Sequence, residues 1–306
     1  MSRPPKVSVC MISYNHAEFI GKAFESVLMQ ETDFDYEIVI GDDFSTDGTD
    51  AIIRSLQARW PDRIRPLQRT ENLGMGRNLS ETLAACTGQY IAILEGDDYW
   101  TDRRKLQLQV NFLDAQVECV LCHHAVEHIL WPEEKILRAF PPGRYRRQRP
   151  TQRELAMFNF IQTCSVLFRR NCLPGLDDEY QKLNLGDWPL FVLLAQRGWI
   201  GYLDCTMAHY RVHSKNTWNL RRADDKIRAM DKMARYLLER VDSSCKEFWK
   251  DTIIALAFKD LLLAFRSFVL ATFIQKLLRF VQQSAEFRKP MWIVTRLWAY
   301  CKAYRS

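Results

Sequence analysis

Glycine and proline are scarce in this 306-residue sequence, at 12 and 11, and no segment recurs at a fixed period, which excludes collagen-like, low-complexity and solenoid architectures. Long apolar runs free of charge are missing too. In the most apolar region, residues 252–281, Lys259, Asp260, Arg266, Lys276 and Arg279 leave at most nine uncharged residues in a row, 267–275, about half of the roughly 18 that a membrane-spanning helix needs. The apolar stretch 7–12 is broken by Ser8 and no small-residue cleavage site follows it, which predicts no signal peptide and a cytoplasmic protein. The nine cysteines are odd in number and dispersed, so reduced thiols rather than a disulfide framework are expected. The segment CVLCH at 119–123 matches the c-type haem pattern, but without export or a second ligand pair neither haem nor structural zinc is expected.

What the chain does have is 47% hydrophobic and 26% charged residues, enough for the core of one large or two modest domains. The net charge of +6 is distributed unevenly: −7 over residues 1–100, +4 over 101–220 and +9 over 221–306. Apolar runs at 6–14, 36–40, 63–67 and 90–94 alternate with helical periodicity at 16–30, from 47 onward to Trp60, and at 75–86. That alternation predicts an α/β domain with a mostly parallel sheet, whose ligands bind beyond the C-terminal ends of the strands. At those ends stand Ser13, Tyr14 and Asn15, then Asp42, Asp43 and Asp47, then Glu95, Asp97 and Asp98. One such group is ordinary turn chemistry. Two acidic clusters at strand ends repel one another and are costly to desolvate, so a shared divalent cation is the simplest means of stabilising them.

Five segments taken together, VSVCMISYN (7–15), DDFSTDGT (42–49), NLGMGRN (72–78), GQYIAILEGDD (88–98) and YRVH (210–213), give the chain a resemblance to family-2 glycosyltransferases of the GT-A fold over roughly residues 6–215. The resemblance implies a Rossmann-like, mostly parallel sheet flanked by helices. It also implies transfer of a sugar, with inversion, from a nucleoside diphosphate sugar to an acceptor hydroxyl with Mn or Mg. By the same token Ser13, Tyr14, Asp43, Asn72 and Asp97 would bind the nucleotide sugar. Tyr14 would stack on a base and Asp43 accept a base N–H, which favours UDP or dTDP. Asp98, with Asp97 and His213, would hold the metal, and Asp187 would be the catalytic base. Trp188 and Arg211 would face the acceptor or sugar, and Thr163 or Ser165 would lie near the sugar. The family usually has Asp where this chain has Glu95. Each residue also has a plainer role open to it: Tyr14 as a core aromatic, Asn72 as a turn residue, Asp187 as a helix cap.

The resemblance sets the expected organisation: a GT-A domain over 1–220, with a nucleotide-sugar half (1–100) and an acceptor half (101–220), and a helical C-terminal region over 221–306. In that region basic residues alternate with Trp292, Trp298, Tyr300 and Tyr304, a mixture suited to an anionic membrane surface, although packing on the main body or on a second copy fits equally. Five arginines between 144 and 153 mark a loop that is either solvated or attracts phosphate on the acceptor. Expected partners are the donor, a glycan or lipid-linked acceptor, a membrane surface and a second copy of the chain. Nucleic acid is not among them, for want of a binding motif. A nucleotidyltransferase and an inactive sugar-nucleotide-binding scaffold are the competing functions.

Overall fold

The computed structural model describes residues 4–183, 185–216, 220–266 and 270–287, and the chain divides into two compact units, Met1–His213 and Ser214–Ser306. The first unit is built on one nine-stranded sheet. Strand β1 (Val7–Ser13) runs parallel to β2 (Tyr36–Asp42) on one side and to β4 (Tyr90–Glu95) on the other, and β3 (Ile64–Leu67) extends the sheet beyond β2. Every residue of β1 is buried, which explains its unbroken apolar sequence: a parallel strand covered on both faces has no solvent side to make polar. Strand β5 (Tyr99–Trp100) pairs antiparallel with the last strand, β9 (Trp199–Val212), and β6 (Cys119–Leu130) runs parallel to β9. Strand β7 (Lys135–Phe140) pairs with β6, and β8 (Leu167–Arg169) bridges β4 and β6 in antiparallel fashion. The sheet is thus parallel through its first four strands and mixed beyond them, and its strand order reverses between β1 and β4.

Helices α1 (Ile20–Leu28), α2 (Thr49–Arg59) and α3 (Met75–Ala85) connect the parallel strands. Helix α1 buries Ile20, Ala23, Phe24 and Val27, the i, i+3, i+4, i+7 stripe of a helix lying on a sheet. It is shorter than the 16–30 periodicity predicts, because residues 16–19 form a separate turn in which Phe19 N–H donates to His16 O at 2.9 Å. Asp47 does not occupy the cap position of α2, which Gly48 takes at φ 96°. Its carboxylate instead accepts from Thr49 N–H at 3.1 Å and from Ala17 N–H at 3.0 Å, tying the entries of α1 and α2 together. Residues Thr163–Ser165 form a 3-10 turn that leads to the three residues of β8, and residues 201–205 lie within the 14-residue β9.

Helix α4 (Lys105–Ala115) packs on β6, and three short helices follow: α5 (Gln152–Met157), α6 (Asp178–Gln181) and α7 (Asp187–Ala195). The arginine-rich segment is largely engaged with its own chain: Arg146 donates to Pro141 O at 2.9 Å, Arg147 pairs with Glu154, and Arg149 lies 4.3 Å over the Trp199 ring. Every described cysteine is a free thiol. The 119–123 segment lies in the core as part of β6, with burial pushing the Cys119 thiol up to about 12 and His123 down to about 3. In the second unit, α8 (Ala223–Arg240), α9 (Ser243–Arg266) and α10 (Leu270–Glu286) form a helical cluster with Ile254, Ala257, Leu261 and Phe280 at its core.

The N-terminal residue of α4 is anomalous. Lys105 is fully buried, its ammonium nitrogen lies 3.9 Å from the centroid of the Trp100 ring, and it has no hydrogen-bond partner. Burial drives its pKa down to about 7. The unfolded chain, with an ordinary lysine value near 10.4, therefore binds a proton that the folded chain lacks between those values. The resulting penalty is fully present below pH 7 and fades as the pH rises toward 10. Lys105→Met should accordingly raise stability by about 2–4 kcal/mol at pH 7, with an advantage that shrinks by pH 10 in urea denaturation of both proteins.

Candidate active site

The reversal of strand order opens a crevice at the C-terminal ends of β1 and β4, and the chain fills it with carboxylates. Glu95 ends β4 and Asp97 and Asp98 follow it, and each offers an oxygen within 4.8 Å of the others. The turn that carries them is held from several sides. Gly96 N–H donates to Ile12 O at 2.8 Å, and a Cβ at Gly96 would come within 2.7 Å of Ile20 and 2.9 Å of His16. The tightest hold comes from β9. Arg211 N–H donates to Asp98 Oδ1 at 2.9 Å, and the Arg211 guanidinium donates to the Asp97 carbonyl at 2.7 Å.

Asp97 faces two imidazoles, with His213 Nε2 at 3.1 Å and His16 Nε2 at 3.8 Å from the same oxygen. Although burial works in the opposite direction, these rings hold the Asp97 carboxyl below its usual range. Asp98 is fully buried, and its Oδ2 has no hydrogen-bond partner. Burial and then the charges of Asp97 and Glu95 push its pKa well up, against the pull of Arg211. Glu95 is raised as well, by burial, by Asp97 and by Asp187. An orphaned carboxylate oxygen beside two further carboxylates is a donor set of hard oxygens in search of positive charge, and it fits a divalent cation.

Asp187 is the first residue of α7, one position past the Gly186 cap. Asn159 donates to its Oδ2 at 3.0 Å, and the Thr163 hydroxyl also bonds the carboxylate. Burial raises its pKa despite these donors. Its effect on Glu95 places the two carboxyls within electrostatic reach of each other. Gly76 and Gly186 make this placement possible. A Cβ at Gly76 would overlap the Gln181 carbonyl and come within 2.8 Å of that of Leu183, and one at Gly186 would lie 2.9 Å from Leu79. Helix α3 therefore rests directly on the segment that leads into α7.

The remaining predicted residues divide by what already holds them. Tyr14 is exposed at the end of β1. Asp43 is buried, and its carboxylate accepts from Leu73 N–H at 2.7 Å and Gly74 N–H at 3.0 Å. Asn72 belongs to the same loop, donating to Asp43 O at 3.1 Å and accepting from Gly74 N–H at 3.1 Å. Ser13 donates its hydroxyl to Asp42 Oδ1 at 2.5 Å, which pins β1 to β2. Trp188 is buried and donates its indole N–H to Leu155 O at 2.8 Å, which makes it a packing anchor for α5. Arg211 is 2% exposed and lies over the rings of Tyr99 (4.3 Å), Trp131 (5.2 Å) and Phe19 (5.4 Å), so it braces the acidic turn from behind. Ser165 is turned away, donating to Gln162 O at 2.6 Å. Three contributors carried no role in the motif reading. His16 sits one residue past the SYN element, the buried Cys164 thiol is pushed up by burial and by the charges of Asp98 and Glu95, and Tyr210 is pushed up by burial and by Asp98, Glu95 and Asp97.

The sequence profile described as "Glycosyl transferase family 2" matches residues 8–173, the span that holds β1, the acidic turn and β8. The chain belongs to glycosyl transferase family 2. This family-2 glycosyltransferase is 41% identical over 213 residues to an uncharacterized protein of Mycobacterium tuberculosis (strain ATCC 25618 / H37Rv), a match covering 70% of this chain and 60% of that one. It thus spans less than two thirds of that relative's length. An uncharacterized glycosyltransferase of Nostoc sp. (strain PCC 7120) is 31% identical over 216 residues, 69% of this chain and 66% of its own. Among solved structures, Staphylococcus aureus TarS residues 1–349 in complex with UDP-GlcNAc superposes with a TM-score of 0.68 at 18% identity, covering 91% of this chain and 81% of that chain. The mannosyltransferase PcManGT from Pyrobaculum calidifontis, in complex with GDP-Man and Mn2+, gives 0.58 at 17% identity, covering 98% and 87%. At these identities the likeness is one of fold, the GT-A arrangement of sheet and helices.

Because Glu95 and Asp98 are raised in the folded protein, the folded state holds protons that the unfolded state releases. That contribution is full below the ordinary carboxylate range near 4 and is lost as the pH rises through the raised values. Asp98→Asn should therefore stabilise the metal-free protein at neutral pH by roughly 1–3 kcal/mol. Thermal unfolding with and without Mn2+ checks this: the wild type should gain stability from the cation, and the Asn variant should lose most of that gain.

Proposed function

We propose that this glycosyltransferase is a metal-dependent inverting enzyme that moves a sugar from a nucleoside diphosphate sugar, UDP or dTDP by preference, to a hydroxyl of a glycan or lipid-linked acceptor. The observation that carries the reading is the orphaned Asp98 Oδ2 in an acidic trio that stands within electrostatic reach of Asp187. The sugar nucleotides in the titles of the TarS and PcManGT structures support it. Catalysis belongs to the unit Met1–His213.

Asp98 and Asp97, with His213 beside them, would hold the cation. When bound, Mn or Mg supplies the Lewis acidity that stabilises a departing diphosphate. Tyr14 stacks on the base, and the remaining lone pairs of Asp43 accept a base N–H while Leu73 and Gly74 keep the carboxylate fixed. Asp187 takes the proton from the acceptor hydroxyl as the new bond forms opposite the leaving group. Its raised pKa improves it as a base, and Asn159 and Thr163 fix its orientation. The test is thermal stabilisation by UDP, dTDP, GDP, CDP and ADP, each with and without Mn2+, followed by release of UDP or dTDP from the corresponding sugar nucleotide. A matching nucleotide at 100 times its Kd should add about 2.7 kcal/mol. Asp98→Ala should abolish the shift. Asp187→Asn should keep the shift and lose turnover by roughly 10²–10⁴-fold. Absence of any nucleotide shift from the folded protein would favour the inactive scaffold.

The second unit supports docking on an anionic membrane surface. Among the described residues no helix is long and apolar enough to cross a membrane. Helix α10 instead exposes Ile274, Leu277, Leu278 and Val281, while its cations turn inward, Lys276 to Asp260 and Arg279 to Asp231 at 2.7 Å each. An apolar stripe on a region of net charge +9 suits anionic lipid better than a second, equally positive copy. Vesicles containing phosphatidylglycerol should pull down the full chain in a salt-sensitive manner, and Ile274→Glu with Leu278→Glu should weaken this at least tenfold. Equal binding to phosphatidylcholine vesicles, or no loss in the double variant, would refute the membrane role.

A further inference from the structure

Phe44 is strained, exposed and unexplained by the fold. Its φ is +61°, in the left-handed region, which a side chain with a Cβ disfavours and glycine does not. The ring is 50% exposed, so core burial does not offset the strain. The turn is nevertheless rigid. The Asp42 carboxylate accepts from Ser45 N–H at 3.1 Å, Ser45 Oγ at 2.6 Å and Ser13 Oγ at 2.5 Å, and Asp42 O accepts from Phe44 N–H at 2.9 Å. Asn15 adds a further tie, its side-chain oxygen accepting from Thr46 N–H at 2.9 Å. Strain that the surroundings over-determine and that buries nothing points to a ligand.

The position of the ring says which part of the ligand. Three loops converge on Asp43, which is 4% exposed: its backbone N–H donates to Ser13 O at 2.9 Å, and its carboxylate takes the bonds from Leu73 and Gly74. Each loop delivers an exposed apolar side chain at the next position: Tyr14 after Ser13 (48%), Phe44 after Asp43 (50%) and Met75 after Gly74 (37%). Three exposed apolar side chains, each next in sequence to a residue of the buried Asp43 junction, have the composition of a site for a flat heteroaromatic ring.

We infer that Phe44 is a wall of the nucleobase subsite, held in a strained backbone so that its ring adds to the grip of Tyr14 on the base above Asp43. This rests on the donor-site reading given above and adds to it a specificity-determining residue. Phe44 contributes to base affinity and nothing to the hold on the diphosphate, which lies with the acidic turn.

The test separates the base from the diphosphate. Phe44→Gly and Phe44→Asn both suit a positive φ without a ring, and Phe44→Tyr restores one. Kd is measured by calorimetry in the presence of Mn2+ for whichever of UDP, dTDP and GDP binds the wild type, and for inorganic pyrophosphate as a base-free probe. Both ring-less variants should melt no lower than wild type and bind the nucleotide about tenfold or more weakly, with pyrophosphate affinity within twofold of wild type. Phe44→Tyr should recover nucleotide affinity. Unchanged nucleotide affinity in the ring-less variants, or an equal loss for pyrophosphate, overturns the role of Phe44 while leaving the donor site standing. Failure of the wild type to bind any nucleotide overturns the donor-site reading, and the role of Phe44 with it.

Discussion

Arg211 and Asp98 lie 113 positions apart in the chain, and the bond between them governs how the crevice is organised. The acidic turn leaves β4 with three carboxylates in close quarters and little intrinsic reason to stay compact, because like charges in a desolvated pocket push one another apart. The pairing of β5 with β9 returns the chain to the turn, and the Arg211 backbone and guanidinium then clamp it at two points. The guanidinium sits among Phe19, Tyr99 and Trp131, so its charge is directed at the turn while its faces remain in apolar contact. His213, one residue beyond β9, reaches Asp97 from the same base. The C-terminal end of one strand thus supplies both the brace and the imidazole, and the first half of the sheet supplies the carboxylates.

The remaining polar groups of the crevice divide into those spent on architecture and those left for chemistry. Ser13, Asp42, Ser45 and Asn15 bond mostly with one another and weld the ends of β1 and β2 into a rigid lip. Asp98 Oδ2 is not spent in this way. Asp187 is only partly engaged, with Asn159 and Thr163 fixing its direction. Enzymes that work by placement and preorganised charge require this division, because groups that must reorient during reaction forfeit most of their electrostatic effect.

Local pattern and long-range pairing differ in how far the sequence discloses them. Strands β1, β2 and β4 were legible as apolar runs because both of their faces are covered, and the acidic turn was legible because charge at a strand end departs sharply from that background. Strand β9 was legible only in part, since exposed residues such as Asp204 and Thr206 interrupt it and its length is set by pairing with β6. The burial of Arg211 and the bond from Trp188 to Leu155 depend on segments far away in the chain, so neither contact is legible in the sequence. His16 and Tyr210 were missed for the same reason: no spacing rule connects them to residues 95–98. Phe44 escaped notice because a left-handed φ in a non-glycine residue has no compositional signature.

The glycines of α3 and of the segment before α7 carry a consequence for timing. Met75 begins α3 directly after the loop that grips Asp43, and one residue later Gly76 brings the helix backbone against the carbonyls of Gln181 and Leu183. Leu79, one turn further along, meets Gly186, the residue before Asp187. On the proposed function, with no side chain to act as a cushion, the helix would work as a stiff rod between the loop that holds Asp43 and the segment that carries Asp187. A small displacement where a nucleotide seats would then be transmitted along the rod with little damping, and occupancy of the donor site and alignment of Asp187 would become a single mechanical event.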